Sequence, residues 1–348
     1  MTVSVTTAVR IESEQAIERE AQRLRERLKP VGWSLGECEL IAPMTLEINR
    51  LKRELNAVVL AHSYQTPDII YGIADHVGDS LALSQEAGHT DAGVIVFCGV
   101  RFMAETAKIL SPQKRVLLPA PDAGCSLAES ISAEQVRQLR LQYPGVPIVC
   151  YVNTSAEVKA ECDACCTSAN TLAVVEAMEG PRVIFVPDKL MAANLRPHST
   201  KEIIGWDGTC IVHEHFGKTE IMAFKRQYPD AAVLAHTECI PEVVGMADMA
   251  GSTSGMERFI AQHEEIKRYM LVTECGMTDK LKAQFPDREF VGSCVLCPYM
   301  KKTELRKVLG AMTEPTEDQI VTLPPDVIAR ARRAIDRMLE IGRSERMK

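Results

Sequence analysis

The chain has 348 residues, 46% of them hydrophobic and 25% charged, with a formal net charge of −7. That apolar content supports packed cores and excludes a disordered chain, and at about 100–200 residues per domain the length implies two or three units. The acidic balance, with no block of lysine or arginine, argues against nucleic acid or an anionic membrane as partner, since both need clustered positive charge, and leaves small molecules.

Residues 1–45 read as an N-terminal helical appendage. Ser13 caps a helix through Leu28, and Lys29-Pro30-Val31-Gly32 stops it. A second helix, from about Thr45 to Leu55, leads into the buried strand Ala57–Ala61, which ends in His62-Ser63-Tyr64-Gln65. From there one cycle runs and repeats twice. The second opens with Pro147–Cys150 ending in Tyr151-Val152-Asn153, and the third with Ala232–Ala235 ending in His236-Thr237-Glu238. A small hydroxyl turn follows each opening, at Gly78-Asp79-Ser80, Thr167-Ser168-Ala169 and Gly251-Ser252-Thr253. Next come a second strand (93–97, 182–186, 269–273), an amphipathic helix and a third strand (115–118, 202–206, 289–291). Each cycle closes on a cysteine behind a small-residue turn: Cys125, then Cys210 85 residues later, then Cys297 after 87 more.

Short apolar runs alternating with helical periodicity predict parallel strands with crossover helices. The expected fold is therefore α/β: three homologous three-layer α/β/α sandwich domains related by pseudo-threefold symmetry around a central active site. The units are 46–145, 146–229 and 230–312, with a closing segment over 313–348 that carries a packing helix from about Pro325 to Ile341. Ligands gather beyond the carboxyl ends of parallel strands, where the polar strand ends and the cysteines all fall. No Walker loop or GxGxxG fingerprint is present.

Twelve cysteines without a secretory leader suggest a reducing, cytoplasmic setting, and no apolar run reaches the ~20 residues needed to span a bilayer. Three thiolates converging on an axis suit zinc, copper(I) or an iron–sulfur centre. A [4Fe–4S] cube held by only three cysteines keeps one iron open as a Lewis acid. Cys98 and Cys150 read as core residues, while Cys38 and Cys275 carry no positional argument. Cys162-Asp163-Ala164-Cys165 and Cys294-Val295-Leu296-Cys297 together offer a Cys₄ zinc alternative, which ignores Cys125 and Cys210. Cys294 also reads as a spare thiol that pairs with Cys297 under oxidation.

The expected polar lining is His62, Tyr64, Ser80, Tyr151, Asn153, Ser168, His213, His236, Glu238, Ser252 and Thr253. Histidines and hydroxyls of this kind suit carboxylates and a phosphate held by neutral donors and helix N-termini. Glu238 is the candidate general base, with Tyr64, His213 and His236 as proton partners. His76, His89, His198, His215 and His263 read as solvated surface.

These stretches carry a family likeness. Over Leu46 to Ile341 the chain resembles the quinolinate synthase family of bacterial NAD biosynthesis, on Ala61-His62-Ser63-Tyr64-Gln65, Gly78-Asp79-Ser80-Leu81, Gly99-Val100-Arg101-Phe102-Met103-Ala104-Glu105, Tyr151-Val152-Asn153-Thr154-Ser155, Thr167-Ser168-Ala169, Cys210-Ile211-Val212-His213, Gly251-Ser252-Thr253 and Cys297-Pro298-Tyr299-Met300. The resemblance implies a triplicated fold and an enzyme that condenses iminoaspartate with dihydroxyacetone phosphate to quinolinate, water and phosphate. It implies a [4Fe–4S] cluster on Cys125, Cys210 and Cys297, with the polar residues above lining the site. It further implies transient supply of iminoaspartate by an L-aspartate oxidase or dehydrogenase. Some members carry a longer run of CxxC-spaced cysteines near the end, whereas here only Cys294 precedes Cys297.

Overall fold

The computed structural model describes residues 13–346 apart from Ser293; residues 1–12, the start of the predicted appendage, lie outside the described residues, as do 347 and 348. Helix α1 (Glu14–Leu28) begins at a Ser13 cap, and a short 3-10 turn at Lys29–Val31 ends it at Gly32, whose φ of 89° suits glycine. Helix α2 spans Leu35–Glu54, ten residues more at its start than the sequence reading gave. Its start is fixed by Ser34 and Glu37, which form a reciprocal capping box, a feature that contributes about 1 kcal/mol.

Among the described residues the strands form three separate four-stranded sheets. The first holds β1 (Ala57–His62), β2 (His76–Gly78), β3 (Val94–Cys98) and β4 (Arg115–Leu117) in the order β2-β1-β3-β4. The second holds β5 (Ile148–Tyr151), β6 (Ala164–Cys166), β7 (Arg182–Val186) and β8 (Glu202–Gly205) in the order β6-β5-β7-β8. The third holds β9 (Ala232–His236), β10 (Met249–Gly251), β11 (Arg268–Val272) and β12 (Glu289–Val291) in the order β10-β9-β11-β12. Every pairing within the sheets is parallel. The central strands are buried along nearly their whole length, as parallel strands covered by helices on both faces must be. The fold is the α/β arrangement expected, with a fourth, three-residue edge strand added to each unit.

Equivalent side chains repeat the same local bond. Asp75 accepts from the Val59 N–H at 2.8 Å, Asp163 from Ile148 at 2.7 Å and Asp248 from Val233 at 2.8 Å. Each carboxylate ties the start of its edge strand to the start of the central strand. That satisfies a buried N–H that would otherwise cost about 1–3 kcal/mol.

The units are held together by elements that cross between them. The C-terminal helix (Pro325–Arg346) lies over helix Ala156–Ala160 and β6, and it also reaches helix Arg101–Leu110. Arg330 pairs with Glu161 at 2.8 Å and Arg332 donates to the Leu110 carbonyl at 3.0 Å, joining the second unit to the first. Helix Leu305–Thr313 packs on α2 and the first sheet, where Leu305, Val308 and Met312 meet Ile48, Leu51 and Val59. No described helix is long and apolar enough to cross a membrane.

Candidate active site

The carboxyl ends of β1, β5 and β9 open on one cavity, walled by His62 and Tyr64 from the first unit, Tyr151 and Asn153 from the second, and His236 and Glu238 from the third. Ser80, Ser168, His213, Thr253 and all three of Cys125, Cys210 and Cys297 line the same space. Ser252 stands one residue back, where its Oγ accepts from the Gly255 N–H at 3.1 Å and caps helix Thr253–Gln262. Among the described residues, none of those lining the cavity is lysine or arginine.

The three cysteine corners are built alike. The N–H of the residue that leaves each second strand donates to the carbonyl two residues before the cysteine: Arg101 to Ala123 at 2.8 Å, Lys189 to Gly208 at 2.9 Å, and Cys275 to Val295 at 3.2 Å. Gly208 is needed there, because a Cβ would stand 2.5 Å from the Pro187 carbonyl oxygen. After each cysteine the chain turns so that backbone N–H groups two and three residues on aim at its sulfur: Leu127 and Ala128, Val212 and His213, Tyr299 and Met300. Donors placed this way stabilise a thiolate. Burial acts in the opposite direction, pushing the Cys125 thiol up to about 12 and raising Cys210 and Cys297, so thiolates here call for a cation beside them.

Beside the cysteines runs a chain of buried hydrogen bonds. Tyr151 donates its hydroxyl to Glu238 Oε1 at 2.6 Å, and His213 Nδ1 meets Glu238 Oε2 at 2.9 Å. His213 Nε2 lies 2.9 Å from Thr273 Oγ1, and Thr273 Oγ1 lies 2.6 Å from the Tyr64 hydroxyl. Burial opposes ionisation of Glu238, yet the neighbouring imidazoles of His213 and His236 and the bonds from His213 and Tyr151 hold its carboxyl well below the ordinary range. An ionised Glu238 takes the Nδ1 proton of His213. With the ring neutral, Nε2 then accepts from Thr273 and Thr273 accepts from Tyr64. A proton leaving the Tyr64 hydroxyl therefore has a continuous path to the His213 ring.

His62 and His236 are held differently. The N–H two residues on donates to each Nδ1, from Tyr64 at 3.1 Å and from Glu238 at 3.4 Å, which leaves Nε2 to carry the proton. Burial lowers His62 to about 3 and His236 to about 4, so both are neutral donors at neutral pH. Asn153 Oδ1 and Thr253 Oγ1 are buried without a hydrogen-bond partner, and both residues are on the cavity wall. They are free to bind a polar guest. The ten-residue helices Ser80–His89 and Thr253–Gln262 begin at the cavity, bringing positive helix ends to it.

Two side chains that hold this site were absent from the sequence reading. Thr273 ends the predicted second strand of the third unit, so the strand-end rule that selected His62 and Glu238 points to it as well. Glu274, fully buried, accepts from the Cys297 N–H at 3.1 Å and pairs with Lys301 at 2.9 Å, fixing the third cysteine corner.

The remaining cysteines separate cleanly. Cys294 is bonded to Cys275, not to Cys297: a parallel bridge between Glu274 and Val295 sets the two Cα atoms 5.1 Å apart, while Cys297 faces the cavity. Cys162 and Cys165 lie in the second unit and share no site with Cys294 or Cys297, which removes the Cys₄ alternative. Cys210, His213 and Glu238 offer ligand atoms within 4.8 Å of one another, but His213 Nδ1 already lies 2.9 Å from Glu238 Oε2 and 3.2 Å from Cys210 Sγ. His76, His89, His198 and His215 are exposed, but His263 is half-buried, stacked on Phe259 with ring centroids 3.9 Å apart.

Comparison with known proteins bears on this geometry. Residues 46–340 match the family model described as Quinolinate synthetase A protein. The chain is 50% identical over 317 residues to Quinolinate synthase 1 of Mesorhizobium japonicum, covering 91% of this chain and 95% of that protein. It is 47% identical over 326 residues to Quinolinate synthase of Sinorhizobium fredii, covering 94% and 90%. With Quinolinate synthase of Xylella fastidiosa the identity is 51% over 294 residues, covering 84% and 86%.

Proposed function

Because this chain belongs to the quinolinate synthetase A protein family and is an enzyme of that kind, acting in NAD biosynthesis, we propose that it condenses iminoaspartate with dihydroxyacetone phosphate, releasing quinolinate, water and phosphate. The observation that carries the reading is the set of three cysteine corners of one design, each with N–H groups aimed at sulfur, opening on the cavity that holds the Tyr64–Thr273–His213–Glu238 chain. That donor set fits a [4Fe–4S] cluster held by Cys125, Cys210 and Cys297. When bound, such a cluster keeps one iron free of protein ligands and supplies Lewis acidity toward carbonyl, carboxylate and hydroxyl oxygens.

The chain's own residues do the rest. Asn153 and Thr253 present their unpaired polar atoms to substrate, and Ser80 and Ser168 add hydroxyls beside them. Ser252 holds the start of the Thr253 helix in place. The neutral imidazoles His62 and His236 donate from Nε2 to carboxylate or phosphate oxygen. Tyr64 gives and takes protons through Thr273 and His213, with Glu238 balancing the charge on the ring, as the isomerisation, imine formation and two losses of water require. Tyr151 holds Glu238 in place through the latter's second oxygen.

Iminoaspartate is short-lived in water, so an L-aspartate oxidase or dehydrogenase in the same compartment, the cytoplasm, would deliver it. Anaerobic purification tests the reading. A brown protein with iron and acid-labile sulfide that forms quinolinate from the two substrates is the expected result. A colourless zinc protein without that activity would refute it.

A further inference from the structure

Tyr64 belongs to the first unit, but it is held at both ends by residues of the third. Its hydroxyl lies 2.6 Å from Thr273 Oγ1. Its main-chain carbonyl accepts from Lys301 Nζ, and the same ammonium lies 2.9 Å from Glu274 Oε1. Thr273 and Glu274 are the first two residues beyond β11, and the first and third sheets share no strand pairing, so these bonds cross from one unit to the other through side chains.

The surrounding contacts leave Tyr64 little room to shift. Gly276 stands against its main chain, where a Cβ would come 2.6 Å from the Tyr64 carbonyl oxygen. Gln65, fully buried, donates from Nε2 to the Met300 carbonyl at 2.9 Å. Glu274 has 0% exposure and also accepts from the N–H groups of Gly276 at 2.6 Å and Cys297 at 3.1 Å. Lys301 sits one turn past Cys297, its N–H donating to the Cys297 carbonyl at 3.2 Å. A carboxylate buried among these donors is a fixed point, and a charge-assisted bond to it holds the Lys301 ammonium in one place. The Tyr64 hydroxyl is the first link of a proton path that runs through Thr273 to His213, so side chains from all three units must stay in register for it to work. A misplacement of about 1 Å in such an array can cost about 10²-fold in rate.

We propose that Lys301, set by Glu274, is a positioning residue for Tyr64. It holds the tyrosine main chain where the hydroxyl meets Thr273, and it acts on turnover through that hydroxyl, not through substrate binding or the cysteine corner it borders. The inference rests on the proton role proposed above for Tyr64.

The test is steady-state kinetics of the cluster-bearing protein in a double-mutant cycle. Lys301→Met keeps the length of the side chain and removes the ammonium. It should lower kcat by about 10²-fold while KM for each substrate moves by less than about twofold. Iron and sulfide per chain should be unchanged, and Lys301→Arg should recover most of kcat. Tyr64→Phe keeps the main-chain carbonyl and lacks the hydroxyl; in that background Lys301→Met should lower kcat no further. Should Lys301→Met fail to fold, Glu274→Gln supplies the same cycle, since its carboxamide oxygen still accepts from the Cys297 N–H. Losses that multiply in the double variant would overturn the proposal. So would a raised KM with kcat intact, or a loss of iron that matches the loss of turnover. Full turnover in Tyr64→Phe, or no quinolinate from the unaltered protein, would instead strike the reading beneath the inference and remove both.

Discussion

The ends of β1 and β9 and the end of β5 occupy the same place in their sheets and carry different chemistry. In the first and third units a histidine stands at the strand end, and the N–H two residues on fixes its ring through Nδ1. In the second unit the equivalent residue is Tyr151, which reaches across to the third unit's Glu238, and the residue two on is Asn153, with an unpaired oxygen. The cysteine corners show no such divergence: all three keep the same carbonyl tie and the same N–H groups behind sulfur. A repeated backbone sets where a side chain sits. A ligand shared between the units, as proposed above, would call for the same residue three times, and an asymmetric substrate for three different ones.

The symmetric half of this comparison is the more brittle. Cys210→Ser should keep the fold, lose iron and sulfide, and leave no measurable quinolinate formation; full turnover in that variant would break the assignment. In the asymmetric half, Glu238→Gln removes the charge that orients His213. It should retain substrate and stall before ring closure, with turnover reduced by about 10²–10⁴. Rapid-quench analysis showing no accumulated intermediate would contradict that. Thr273→Val cuts the same chain one link further on, and about a 10²-fold loss in kcat is expected, at the lower end of proton-transfer effects. Thr273→Ser should recover most of it, which a purely packing role would not predict.

The smallest effect is on stability. His62 and His236 ionise at about 3 and about 4 in the folded protein against an ordinary 6.5, so the unfolded chain binds protons first. Their favourable contribution is intact above 6.5 and is lost as the pH falls from there toward 4. Below the ordinary 4.5 of a glutamate, protonation of unfolded Glu238 adds a loss of the same sign. The thermal midpoint should therefore drop over that window, and His236→Gln should flatten the drop; an unchanged slope would show that these rings do not govern it.

Much of this arrangement could be read from residue order. The central strands are continuous apolar runs, and the cysteine corners recur at a nearly constant interval, so both the α/β class and the convergence on one cavity follow from pattern. The edge strands His76–Gly78, Ala164–Cys166 and Met249–Gly251 escaped because each carries at most one large apolar side chain, whereas the equally short Arg115–Leu117 and Glu289–Val291 are marked by Val116-Leu117 and Phe290-Val291. The start of α2 was hidden by Gly36 and Pro43, although Ser34 and Glu37 spelled out its cap. Thr273 escaped because a lone threonine in an apolar strand looks like packing. The partner of Cys294 depends on two chain segments brought side by side, which spacing along the chain cannot encode.

The absence of lysine and arginine from the described cavity wall, on a chain of net charge −7, has a kinetic corollary. An anionic metabolite meets no attractive field until it is within contact range of helix ends and N–H donors, because at physiological ionic strength screening acts within about 8 Å. Capture then depends on random collision with the mouth, and added salt should leave the encounter rate unchanged or slightly raise it, the reverse of a site that draws its anions from a distance.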